Sequence, residues 1–227
     1  MGEPVWREEI VAVVRPHERQ PTVTVVTPWL NHTEFWPDYA AAMELGRPDE
    51  ILVIDNGSDP LLGFANIDQD ENLGFCRANN VGLAEARSEA VVFLNNDIAA
   101  TSRKWLQAIR EALEPGFLVG ARFRYDPHGA IEQEPMTYLD GWCIAGMVED
   151  LDGIGGWDET LAEPAYYSDN ILCLRARMAG MRLREVKTGL VHKLNGTAKP
   201  QDPETIKATF GNRARYETLA REALAHV

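Results

Sequence analysis

Apolar positions in the first half of the chain fall in short unbroken runs. Thr22-Val23-Thr24-Val25-Val26-Thr27 ends at Pro28, Ile51-Leu52-Val53-Ile54 is stopped by Asp55-Asn56-Gly57-Ser58-Asp59-Pro60, and Ala90-Val91-Val92-Phe93-Leu94 runs into Asn95-Asn96-Asp97. Runs of this length, β-branched and without alternation, predict strands buried on both faces. Between them the period lengthens to that of helices. Thr33 can cap one through Ala42, ended by Gly46 and Pro48; a second spans about 75–87; Ser102 can cap a third holding Trp105, Ile109 and Leu113. The second half is less regular. It reads as a strand over 117–125, a loop over 153–159 holding Trp157, a helix over 168–179 capped by Ser168, and an extended segment over 183–192. Asp202-Pro203-Glu204 opens a last helix, with proline at its first position. Strands alternating with helices predict an α/β fold whose mostly parallel central sheet is flanked by helices. Ligands of such sheets sit at the carboxyl ends of the strands, where the polar clusters Thr27-Pro28, Asp55-Asn56 and Asn95-Asn96-Asp97 fall.

Charge narrows the partners. The chain carries 22 Lys/Arg against 35 Asp/Glu, a net charge of −13, which excludes a non-specific nucleic-acid binder and docking to an anionic membrane by charge alone. The balance is uneven: residues 1–171 hold 11 Lys/Arg against 30 Asp/Glu, and residues 172–227 hold 11 against 5. The basic end is either a solvated helix face or a cover for an anionic ligand. Cys76, Cys143 and Cys173 have neither disulfide-framework nor zinc-site spacing and point to a reducing compartment. No apolar run approaches the ~20 residues of a membrane span, and no secretory leader is visible. These features predict a cytoplasmic protein. The layout is an arm at 1–20, one domain at 21–200 with halves 21–100 and 101–200, and a C-terminal helix at 201–227.

Several segments, in order, carry a resemblance: Val23–Pro28, Ile51–Asp59, Glu71-Asn72-Leu73-Gly74-Phe75 with Asn79-Asn80-Val81-Gly82, Phe93-Leu94-Asn95-Asn96-Asp97, Gly155-Gly156-Trp157-Asp158-Glu159, Ser168-Asp169 with Leu172-Cys173-Leu174-Arg175, and Val191-His192. Together they resemble the family 2 glycosyltransferases of the GT-A fold, especially the rhamnosyltransferase-like branch. The resemblance covers roughly residues 20–195. It implies a Rossmann-like nucleotide-binding half and a smaller acceptor half. It also implies inverting transfer of a sugar from a dTDP-, UDP- or GDP-linked donor to a saccharide, small-molecule or protein acceptor.

The resemblance assigns roles. A departing diphosphate builds negative charge that a divalent cation, Mn²⁺ or Mg²⁺, stabilises. Asn95-Asn96-Asp97 stands where the family has its Asp-x-Asp metal motif. Asp97, its sole acid, would be the main ligand, and Asn95 or Asn96 would meet the ribose or sugar. His192 matches the late histidine that joins the metal or diphosphate; imidazole suits Mn²⁺ better than Mg²⁺. Asp55 would meet the nucleobase edge, with Thr27 and Pro28 as the other wall. Asn72, Gly74 and Arg77 would hold the diphosphate at a helix N-terminus. Asp169 matches the catalytic base, and the helix start would keep it ionised. The family's usual acidic pair is absent, since Ser168 precedes Asp169 and Ile171 stands where a further acid is common. Trp157 and Asp158 would face the acceptor. Each residue also has a plainer reading on its own: a strand-end turn for Asp55 and Asp97, a surface ion pair for Arg77, core packing for Trp157, a packed or surface histidine for His192, and a carboxylate that only offsets the helix dipole for Asp169. Two rival functions differ in class. A nucleotidyltransferase would need a Gly-rich basic loop after the first strand, and Pro28-Trp29-Leu30-Asn31-His32 offers none. A non-catalytic sugar-nucleotide or glycan-binding protein would bind donor without transfer.

Overall fold

A computed structural model describes residues 19–125, 137–193 and 202–225. The expected arm lies outside the described residues apart from Arg19 and Gln20. The strands are β1 (Val23–Trp29), β2 (Glu50–Asn56), β3 (Ile67–Gln69), β4 (Ala90–Leu94), β5 (Ile98–Ala100), β6 (Phe117–Gly120), β7 (Phe123–Tyr125), β8 (Thr137–Leu139), β9 (Cys143–Met147), β10 (Arg182–Glu185) and β11 (Leu190–His192). The helices are α1 (Trp36–Gly46), α2 (Phe75–Glu85), α3 (Trp105–Ala112), α4 (Val148–Gly153), α5 (Ser168–Met178) and α6 (Pro203–Ala225). Seven strands form the main sheet in the order β10-β6-β9-β4-β1-β2-β3. β4, β1, β2 and β3 run parallel, as do β6 and β10, and β9 lies antiparallel between β4 and β6. Two small antiparallel pairs, β5 with β11 and β7 with β8, sit outside it.

The unbroken apolar runs have a direct cause. Val25, Val53 and Val92 face a core shared with Tyr39, Met43, Trp105 and Ile109 of α1 and α3. Their neighbours Val26, Ile54 and Phe93 face a second core with α2, α4, α5 and α6. Successive strand residues point to opposite faces, so apolar cover on both faces removes the alternation. α6 belongs to this second core through Tyr216, Ala220 and Ala223, so it is integral to the packing of the domain.

Some boundaries differ from expectation. The segment 117–125 splits at Ala121-Arg122 into β6 and β7, and 183–192 splits into β10 and β11, which join different sheets. Ser168 is the first residue of α5, not its cap; Tyr167, left-handed at φ 73°, holds the cap position with no capping side chain. Thr33 begins a 3-10 turn ahead of α1. Ser102 accepts from the Lys104 N–H just ahead of α3, and Asp202 caps α6 by accepting the Thr205 N–H at 2.8 Å.

Candidate active site

At the carboxyl end of β4 the chain leaves the sheet, and Asn95 donates its N–H to the Trp142 carbonyl at 2.9 Å. The β5–β11 register sets His192 opposite Ile98, beside Asp97. His192 Nε2 lies 3.0 Å from Asp97 Oδ1 and 3.3 Å from Asn95 Nδ2, and the imidazole stacks on Trp142 with centroids 5.2 Å apart and planes 4° apart. The Lys193 N–H donates to the Asp97 carbonyl at 2.7 Å, fixing this crossing. Asp97 Oδ1 is buried and accepts no hydrogen bond, with His192 Nε2 3.0 Å away. A buried carboxylate oxygen without a donor costs free energy unless a cation faces it. The donor set fits one. A carboxylate and an imidazole suit Mn²⁺, and adjacent corners of an octahedron with ~2.1 Å bonds are about 3.0 Å apart. Among the described residues no third His, Cys, Asp or Glu completes a metal-holding group.

Asp169 sits in the first turn of α5. Its Oδ2 accepts the Gly141 N–H at 3.0 Å and its Oδ1 the Asn170 N–H at 3.0 Å. A Cβ on Gly141 would lie 3.2 Å from the Asp169 Cβ, so this approach favours glycine. The ionisation of Asp169 expected from the helix start is opposed by its burial. Burial pushes its carboxyl up to about 6, the Gly141 N–H opposes this, and the neighbouring Asp140 charge adds to it. Gly141 and Trp142 belong to the turn between β8 and β9, so one turn holds Asp169 through the first residue and Asn95 through the second.

The donor side is rearranged relative to expectation. Thr27 is fully buried and shares a 2.9 Å hydrogen bond with the Tyr39 hydroxyl, so it is no pocket wall here; Pro28 stays half-buried at the strand end. Asp55 is 0% exposed, and its carboxylate accepts the Ser58 N–H at 2.8 Å and the Leu62 N–H at 2.7 Å. It shapes the loop after β2 and offers no free edge to a base. Asn72 Oδ1 accepts from Asn56 Nδ2 and from the Gly74 N–H, both at 2.9 Å, folding the entry to α2. Gly74 is left-handed at φ 83°, and a Cβ there would meet Glu163 Oε1 at 2.3 Å. Glu163 Oε1 accepts the Phe75 N–H at 2.9 Å. The chain's own carboxylate therefore holds the first amide of α2, the place expected for a diphosphate. Arg77 pairs with Glu159 at 3.5 Å on the surface.

The two residues expected on the acceptor side are buried. Trp157 is 1% exposed, with its ring edge-on to Phe75 and Phe93. Asp158 is 3% exposed and its Oδ2 meets Arg215 Nε at 2.6 Å and Arg175 at 3.2 Å, while Oδ1 accepts from the Thr160 N–H and hydroxyl. Burial raises its carboxyl, but Arg215, Thr160 and Arg175 outweigh it and hold it below the ordinary range. Basic residues of the C-terminal part thus meet a protein carboxylate. The structure therefore joins Asn95, Asp97 and His192 in one cluster, ties Asp169 to it by the 140–143 turn, and leaves Trp157 and Asp158 in the scaffold. Asn96 follows Asn95 at the half-buried strand end. Sequence reasoning missed Gly141, Trp142 and Glu163; the Asp140-Gly141 turn dipeptide was the available signal for the first two.

Comparison with known proteins bears on the fold and the family. The chain shares 25% identity over 216 residues with the uncharacterized protein y4gI of Sinorhizobium fredii, covering 73% of this chain and 23% of that protein; the chain spans about a quarter of this relative's length. Its fold is similar to a mannosyltransferase of Pyrobaculum calidifontis in complex with GDP-Man and Mn²⁺, at TM-score 0.59 and 18% identity, covering 92% of this chain and 75% of that one. It is also similar to GalNAc-T7 with UDP, GalNAc and Mn²⁺, at TM-score 0.62 and 14% identity, covering 87% of this chain and 48% of that one. These similarities establish a GT-A type fold. Residues 39–156, which carry β2 to β4, the Asn95–Asp97 cluster and the Gly141–Trp142 turn, match the glycosyl transferase family 2 description, and this chain belongs to that family.

Proposed function

We propose that the chain transfers a sugar from a nucleoside diphosphate sugar to an acceptor hydroxyl with inversion. The observation that carries this reading is the turn linking two chemical groups: Gly141 holds the Asp169 carboxylate, and Trp142 holds Asn95 next to Asp97 and His192. Asp169 takes the proton of the acceptor hydroxyl as its oxygen attacks the anomeric carbon. The bond from that carbon to the diphosphate oxygen breaks, and the nucleoside diphosphate leaves with the electron pair. A carboxyl titrating at about 6 is well placed for this, because a general base works best with a pKa near the working pH. Asp97 and His192 would hold a divalent cation, Mn²⁺ in preference to Mg²⁺. When bound, that cation neutralises charge developing on the leaving diphosphate. Asn95 and Asn96 orient the ribose or sugar at the strand end. Asp55 acts on the nucleotide through the 56–62 loop it holds. Asn72, Gly74 and Arg77 form the diphosphate side once Glu163 yields the Phe75 amide.

The proposal is tested by a thermal-shift panel of dTDP, UDP, GDP and CDP, each with and without Mn²⁺, followed by donor turnover with the preferred nucleotide. A ligand at 100 times its dissociation constant adds about 2.7 kcal/mol. A nucleotide shift that depends on Mn²⁺, with sugar transfer lost in Asp169→Asn, is the expected result. No shift with any nucleotide overturns the proposal. Donor binding with neither transfer nor hydrolysis favours the non-catalytic sugar-nucleotide-binding reading.

A further inference from the structure

The loop from Asp158 to Tyr167 leads directly into the helix that carries Asp169, and two of its non-glycine residues are left-handed: Ala165 at φ 56° and Tyr167 at φ 73°. Side chains with a Cβ occupy that region only where their surroundings enforce it. Much of the enforcement comes from α6. Asn212, 4% exposed, uses both ends of its amide on one residue: its Oδ1 accepts the Ala162 N–H at 3.0 Å and its Nδ2 donates to the Ala162 carbonyl at 2.8 Å. The same carbonyl accepts the Ala165 N–H at 2.9 Å, and the Ala165 carbonyl accepts the Ser168 N–H at 3.1 Å. These bonds run step by step from Asn212 to the residue before Asp169. On either side of Asn212's contact, Arg215 binds Asp158 at 2.6 Å, and Tyr216 packs on Tyr167 with centroids 5.7 Å apart.

We infer that Asn212 is a positioning residue, through which α6 straps the 158–167 loop and aims the Asp169 carboxylate at the Gly141 amide and the acceptor. The role of Asp169 as base rests on the function proposed above; the strap itself does not. A misplacement of a reacting group by 1 Å costs about a hundredfold in rate, so a loop held at one residue has leverage over turnover.

The test uses the full chain and the variants Asn212→Ala and Asn212→Asp. The aspartate retains an acceptor for the Ala162 N–H and removes the donor to its carbonyl. Turnover is normalised to donor-binding stoichiometry from calorimetry, which discounts unfolded protein. Asn212→Ala is expected to lose about 10–100-fold in kcat with donor Kd within about twofold of wild type, and Asn212→Asp, which sets a carboxylate oxygen against the Ala162 carbonyl, to lose at least as much. Amide exchange supplies a readout independent of activity, since the Gly141 N–H donates to Asp169. In Asn212→Ala the Gly141, Ala165 and Ser168 amides are expected to exchange about tenfold faster, with β1 and β2 amides unchanged. Unchanged Gly141 exchange overturns the inference, as does unchanged turnover per binding site. If Asn212→Ala does not fold, Asn212→Asp decides by the same two readouts. A wild type that transfers no sugar overturns the functional proposal alone, and the exchange measurement still decides whether α6 aims Asp169.

Discussion

Replacing Asp55 by alanine tests whether this carboxylate is a scaffold element rather than a surface contact to a base. It is fully buried and holds two backbone amides, at 2.8 and 2.7 Å. The donors belong to Ser58 and Leu62, themselves 7% and 5% exposed, so neither amide regains full hydration when the carboxylate is removed. Each buried donor left unpaired costs about 1–3 kcal/mol. With some water entering the space of the lost carboxylate, the loss is expected near 3 kcal/mol, or about 6–12 °C in Tm for a chain of this size. Asp55→Asn keeps one acceptor and turns an amide NH₂ toward the other donor, so it should fall between wild type and alanine. Urea unfolding followed by circular dichroism measures this directly: the midpoint should drop with the m-value unchanged. Nucleotide affinity, measured well below the melting range, should weaken as the 56–62 loop loosens. An alanine variant within about 0.5 kcal/mol of wild type, the range of ordinary surface substitutions, would refute the reasoning.

Other outcomes follow from the same geometry. Asp97→Asn is expected to remove most of the Mn²⁺ dependence of nucleotide binding, read by calorimetry with and without chelator; equal wild-type affinity in chelator would eliminate the metal role. kcat/KM should rise with pH through about 6, because Asp169 must lose its proton to act and its carboxyl is raised there by burial; an acid limb near 4 would contradict it. The sign for stability is opposite. The native state binds this proton more tightly than the unfolded chain, so wild-type stability relative to Asp169→Asn should fall as pH rises from about 4 to about 6. Gly74→Ala should destabilise, since its Cβ would meet Glu163 at 2.3 Å on a left-handed backbone; an unchanged Tm would show that Glu163 leaves without cost.

The sheet was legible because its strands are apolar on both faces, a pattern that local residues reveal. β4 was read to the residue, and the Asn95–Asp97 cluster followed from where that strand stops. β9 was not read, because Cys143-Ile144-Ala145-Gly146-Met147 is short and glycine-broken, and an antiparallel strand inserted between β4 and β6 is a tertiary decision. The pairing of His192 with Asp97 depends on the β5–β11 register across almost a hundred residues; it was reached through resemblance, not local pattern. The burial of Asp55, Thr27, Trp157 and Asp158 was not legible for one shared reason. Their residue types suit a pocket and a scaffold equally, and only the partners, Tyr39, the Ser58 and Leu62 amides, Phe93 and the two arginines, separate the two.

The 140–143 turn has a consequence for how such a site tolerates change. Two adjacent residues of main chain, through the N–H of one and the C=O of the other, set the distance between the donor cluster and Asp169. Asp169 supplies the only side chain in those two bonds. Under the proposed function, substitutions at other side chains can retune recognition while the reacting groups keep their separation, so recognition is free to drift faster than chemistry.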